Sequence, residues 1–176
     1  KVTWTPDHIP SLDGKVVLIT GANSGLGFES TRLLAARGAE VIMACRNQSK
    51  GRQALEQIKA EQTQARLTLM PLDLADLSSV RAFAAAVKEK YAKLDILLNN
   101  AGLMAPPLGH TKDGFEMQFG TNHLGHFALT GQLLELLENA EAPRIVTGSS
   151  GAHRIGRIYF DNLDVSKGYF RWTFYG

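Results

Sequence analysis

The stretch Thr20-Gly-Ala-Asn-Ser-Gly-Leu-Gly27 constrains this chain more than any other. It follows an apolar run of strand character, Val16-Val-Leu-Ile19. It opens a helical run from Leu26 to Arg37, which carries Leu26, Leu33 and Leu34 toward one side. A strand, a glycine-rich turn and a helix make half of a nucleotide-binding unit. A helix N-terminus leaves backbone N–H groups unpaired and carries partial positive charge, which suits a pyrophosphate. Gly21 permits the tight turn, Gly25 lets phosphates approach the backbone, and Gly27 lets the helix sit close to the strand.

The rest of the chain repeats the alternation. Strand patterns fall at 15–20, 40–45, 66–71, 94–99 and 144–148. Helical patterns run to Arg37, where Gly38 is a natural stop, and from Ser49 to about Gln62 with Leu55 and Ile58 inward. Asp76 is placed to cap a third helix carrying Val80, Phe83, Ala84, Val87 and Tyr91 at helical spacing. A long helix is expected from Asp113 to about Asn139, bent near Gly120 or Gly125. Residues 151–173 are irregular and read as loop. Alternating strands and helices give a parallel sheet with crossovers on both faces. Right-handed crossovers and a switch point beside the first strand give the order 3-2-1-4-5. Residues 1–14 form an N-terminal arm, with Trp4 and Ile9 on the surface, and 15–176 form one domain.

Composition narrows the partners. The net charge is +2, and its positives are scattered, so no basic patch points to nucleic acid or an anionic membrane. A single cysteine, Cys45, excludes an internal disulfide framework and fits a reducing compartment. No apolar run reaches bilayer length and no secretory signal is visible, so a soluble, cytoplasmic protein is expected.

Four motifs together resemble the short-chain dehydrogenase/reductase family. They are the glycine turn at 20–27, Asn99-Asn-Ala-Gly102 closing the fourth strand, Thr121-Asn-His-Leu-Gly125, and Ile145-Val-x-x-Ser-Ser150. Ala152-His-Arg-Ile-Gly156 and Phe160-Asp-Asn-Leu163 resemble the insertion of its retinol-dehydrogenase-like branch. The resemblance implies an α/β, Rossmann-type doubly wound parallel sheet and a nicotinamide cofactor. The expected contacts to that cofactor are Gly21, Asn23, Ser24, Gly25, Leu26, Gly27, Arg46, Asp73, Leu74, Asn100, Ala101, Gly102 and Asn122. Asp73 is implied at the adenine, and Ala101 and Gly102 permit a close approach to the ribose. The end of the second strand separates the two cofactors. An acid there would bind both ribose hydroxyls of NAD, whereas this chain has Cys45-Arg46. A guanidinium suits a 2′-phosphate, so NADP is favoured over NAD; the alternative is a solvated arginine after a strand.

The resemblance also implies catalytic roles. Ser150 binds the substrate oxygen as charge develops on it, and Tyr175 supplies the proton. Asn122 holds a water of the proton relay. Tyr159 and Tyr169 compete for the tyrosine role but fall within the insertion, where packing or rim positions are expected. The family motif is Tyr-x-x-x-Lys, and its lysine position lies beyond Gly176, as do the later strands and helices. The chain therefore reads as a C-terminally incomplete domain that alone would be nearly inactive. His123 and His126 have helical spacing, but no matching carboxylate or cysteine accompanies them, so no metal is expected. The implied activity is hydride transfer between NADP(H) and a small or apolar alcohol or carbonyl compound. The rival readings are a non-catalytic NADP sensor and an inactive fragment. Assembly through helix 113–139 is implied by the family, with the oligomeric state open.

Overall fold

A computed structural model describes residues 3–175; Gly176, the end of the expected domain, lies outside them. Five strands alternate with helices: β1 Val16–Thr20, α1 Gly25–Ala36, β2 Glu40–Cys45, α2 Gln48–Glu61 and β3 Arg66–Pro71. α3 Leu77–Lys90 and β4 Ile96–Asn99 follow. A π-helical stretch, Phe119–Leu124, runs into α4 Gly125–Glu138, and β5 is Arg144–Thr147. A last five-residue helix, α5, spans Arg171–Tyr175.

All strand pairs are parallel, in the order β3-β2-β1-β4-β5. That order is the one the sequence predicts. In β1, β2 and β4 alternate residues feed two separate cores, one on each face of the sheet, whereas edge strand β5 is exposed along its length. Leu18, Ile42, Ala44 and Leu97 pack with α3 and α4. Val17, Ile19, Val41, Met43 and Cys45 pack on the α1 and α2 side. Burial pushes the Cys45 thiol up to about 11, so it stays protonated at neutral pH and serves as packing. Asp95 joins the starts of β1 and β4, bonding Val16 N–H at 2.9 Å and Lys15 at 3.0 Å.

Two local expectations need correction. The buried side of α1 is Gly27, Thr31 and Ala35; Leu34 packs partly buried against the same core, whereas Leu26 is 81% exposed, so the leucines do not share one side. Small residues are needed because this helix sits against the turn before it. The long helix does not open at Asp113. Thr111 to Phe115 form a turn closed by Thr111 N–H to Phe115 O at 2.8 Å, with Gly114 in the left-handed region at φ +87. The Asp113 carboxylate instead accepts from Leu77 N–H at 2.9 Å, at the start of α3. The helix begins after Glu116, whose carboxylate accepts from Gln118 N–H and Phe119 N–H. The expected bend is the π-helical stretch, where Gly125 N–H reaches back to Gly120 O. Among the described residues no helix is long and apolar enough to cross a membrane.

Candidate active site and cofactor cleft

The ends of β1, β2 and β4 and the segment after β3 open onto a cleft of about 700 Å³. Of the residues singled out in the sequence, Gly21, Asn23, Ser24, Leu26, Arg46, Asp73, Leu74, Asn100, Ala101 and Gly102 line it. Lys50 lines it too. Four residues after Arg46, it puts a second cation at the corner between β2 and α2. That Arg-x-x-x-Lys spacing across a strand-to-helix corner was the signal available in the sequence. Gly25 adopts φ +53 with open space where a Cβ would be. Gly27 lies behind the turn: a Cβ there would come 2.3 Å from Gly21 O and 2.6 Å from Asn100 Nδ2. Asn47 and Asp76 cap α2 and α3, but Ser24 makes no capping bond to α1 among the described residues. The first-turn N–H groups of α1 are therefore left without a side-chain cap at the cleft. Asp73 Oδ1 accepts from Ala75 N–H at 2.9 Å, a tight turn that shapes the floor.

Thr20 braces the sheet beneath this cleft. Its buried Oγ1 accepts from Asn100 N–H and Ala101 N–H, both at 2.9 Å, and Asn100 Nδ2 donates to Thr20 O at 2.8 Å. With both lone pairs occupied, the Thr20 hydroxyl must donate, and its near partner is His126 Nε2 at 2.9 Å. His126 Nδ1 in turn lies 2.9 Å from Asn122 O. Donor accounting thus assigns a neutral His126 with its proton on Nδ1. His123 is turned elsewhere and stacks on Phe119 at 5.4 Å, so the two imidazoles are committed to different partners.

Burial pushes the His126 imidazole below its usual value, and nearby His123 adds to this, while the Asn122 carbonyl works the other way. The unfolded chain therefore takes up this proton first, so the stability from neutral His126 is full above ~6.5 and drains as pH falls below it. Exchanging His126 for Gln is expected to cost about 1–3 kcal/mol near neutral pH. The gap in melting temperature between the two proteins should narrow from pH ~7.5 to ~5.5, and a pH-independent gap would contradict the assignment.

A second cavity of about 250 Å³ is lined by Gln118, Phe119, Asn122, His123, Arg157, Ile158, Tyr159, Leu163, Phe174 and Tyr175, with Thr173. It brings Asn122 and Tyr175 together. Ser150 lies just past the end of β5, lines neither cavity, and accepts from Ala152 N–H at 3.2 Å. Asn122 clamps the loop after β4: Oδ1 accepts from Leu103 N–H and Nδ2 donates to Leu103 O, both at 2.9 Å. Of the competing tyrosines, Tyr159 lies in the cavity wall, and Tyr169 OH donates to Pro106 O at 3.0 Å.

The family model described as short chain dehydrogenase matches residues 15–168. Mouse retinol dehydrogenase 12 is 48% identical over 165 residues, covering 94% of this chain and 52% of the mouse protein. Human retinol dehydrogenase 11 is 48% identical over 158 residues, covering 90% of this chain and 50% of its own length. The chain thus spans about half the length of the curated relatives it matches. A crystal structure of an uncharacterized protein from Mycobacterium paratuberculosis superposes with a TM-score of 0.86 at 47% identity, covering 99% of this chain and 60% of that one. A structure described as a short chain dehydrogenase from Escherichia coli CFT073, complexed with NADPH, gives 0.72 at 27% identity, covering 93% and 65%.

Proposed function

Because the chain belongs to the short-chain dehydrogenase family and is retinol-dehydrogenase-like, we propose that it serves an NADP(H)-dependent oxidoreductase acting on an apolar alcohol, aldehyde or ketone. One observation carries the reading. A single cleft holds both the uncapped N-terminus of α1 and the cations Arg46 and Lys50. The first suits a pyrophosphate and the second suits a 2′-phosphate. The cofactor, when bound, supplies or accepts the hydride.

The chain's own residues divide the remaining work. Gly25 through Gly27 present backbone amides to the phosphates, and Gly27 keeps α1 close to Asn100. Asp73 and Leu74 face the adenine end, and Asn100 to Gly102 line the ribose. Tyr175 donates its phenolic proton to the substrate oxygen in reduction and takes it back in oxidation. Ser150 lies outside both cavities, so its hydrogen bond to the same oxygen requires the substrate to reach from the second cavity to the end of β5; its hydroxyl hydrogen is free of the Ala152 contact. Asn122 keeps one Nδ2 hydrogen beyond its Leu103 clamp for the relay water. The apolar lining of the second cavity, Phe119, Ile158, Leu163 and Phe174, suits a hydrocarbon substrate such as a retinoid.

Fluorescence titration with NADPH and NADH tests this reading. The protein is expected to bind NADPH more tightly than NADH. Arg46→Asp replaces attraction by repulsion and should weaken NADPH about a hundredfold while leaving NADH within a few-fold. Unchanged NADPH affinity in the variant would show that Arg46 does not meet the phosphate.

A further inference from the structure

We propose that Gln118 is a positioning residue for Tyr175: its buried amide ties the loop after β4 to the segment that carries the tyrosine. The inference rests on the catalytic reading of Tyr175 above.

Gln118 is 2% exposed, and its side chain spans three pieces of backbone or side chain distant in sequence. Oε1 accepts from Ala105 N–H at 2.8 Å. Nε2 donates to Arg171 O and to Tyr169 OH, both at 3.1 Å. The Tyr169 hydroxyl, having accepted that bond, passes its own hydrogen to Pro106 O. Every hydrogen of the Gln118 amide is therefore used, and the ring Gln118–Ala105–Pro106–Tyr169 closes on itself. Burial, and then the Glu116 carboxylate, push the Tyr169 phenol up, which keeps it a donor. That commitment also removes Tyr169 from the proton-transfer role.

The mechanical consequence falls on α5. Five residues are too few for a helix to persist alone. Its first residue is anchored by the Gln118 bond to Arg171 O. Further along, the Phe174 ring packs on the Tyr169 ring at 5.3 Å. Tyr175, the next residue, enters the second cavity beside Gln118 and Asn122. The same loop is held at Leu103 by Asn122, and Ala105 takes a left-handed φ of +49, which a loose loop would relax. Removing the two Gln118 donors frees Arg171 and Tyr169 together, and with them the aim of Tyr175.

The test uses the full-length protein with NADPH and retinal as the probe aldehyde. Gln118→Glu keeps an acceptor for Ala105 N–H but turns lone pairs toward Arg171 O. It is expected to lower kcat about 30- to 100-fold, as a displacement near 1 Å of a reacting group does, with NADPH affinity within twofold. Tyr169→Phe removes one arm of the ring and should give a smaller fall in kcat. In a Tyr175→Phe background, Gln118→Glu should cost nothing further, because its effect passes through the phenol. Unchanged kcat in Gln118→Glu, a parallel loss of NADPH affinity, or a full additional loss in the Tyr175→Phe background would each overturn the role of Gln118. A parent enzyme indifferent to Tyr175→Phe would instead overturn the catalytic reading on which it rests.

Discussion

Replacing Tyr175 by Phe in the full-length protein is expected to lower kcat about a thousandfold, within the range for loss of a general acid–base group. The ring is retained, so the walls of the second cavity keep their shape, and only the phenolic hydrogen is lost. NADPH affinity should not change, because Tyr175 does not line the 700 Å³ cleft. Tyr159→Phe and Tyr169→Phe are the informative controls. Tyr159 shares the cavity, but its hydroxyl has no hydrogen-bond partner among the described residues, and its replacement should be nearly silent in kcat. A thousandfold loss from Tyr159→Phe, with Tyr175→Phe active, would move the acid into the insertion and contradict the assignment of Tyr175.

Gly27→Val is expected to be the most damaging single change to the domain itself. The added Cβ would sit 2.3 Å from the Gly21 carbonyl oxygen and 2.6 Å from Asn100 Nδ2. Neither is the free end of a flexible side chain. Gly21 O is backbone, and Asn100 Nδ2 is bonded to Thr20 O. Overpacking against such groups costs about 3 kcal/mol, or roughly 8 °C in melting temperature for a chain of this size. NADPH binding should be lost in the same variant, because α1 must tilt away from the turn. Gly131→Ala supplies the contrast: a Cβ there meets nothing, and α4 should gain up to about 1 kcal/mol. A Gly27→Val protein that melts and binds like the parent would mean that the close packing of turn and helix is unimportant.

Much of this architecture was readable from residue order. β2 and β3 run over the residues that their apolar patterns mark, and the strand order follows from handedness and the glycine turn. The misplaced start of α4 has a local cause. Asp113-Gly114 is a turn signal, and the turn it makes lends the Asp113 carboxylate to α3 rather than to its own helix. Leu26 was expected to share a side with Leu33 and Leu34. Here, close contact reserves the inner face for Gly27, Thr31 and Ala35 and leaves Leu26 at the cleft. The Gln118 ring and the His126 link were not readable at all. Each joins a side chain to backbone or hydroxyl groups from segments far apart in sequence, and no periodicity records such a bond. Lys50 falls between: its spacing from Arg46 is visible, but its place in the cleft depends on how α2 leaves β2.

A crystal structure of the protein grown with NADPH tests the cleft most directly. The expected result is the pyrophosphate within hydrogen-bond distance of the Gly25–Gly27 amides, with the 2′-phosphate between Arg46 and Lys50. A dinucleotide seated elsewhere, or one whose 2′-phosphate points away from both cations, would contradict it.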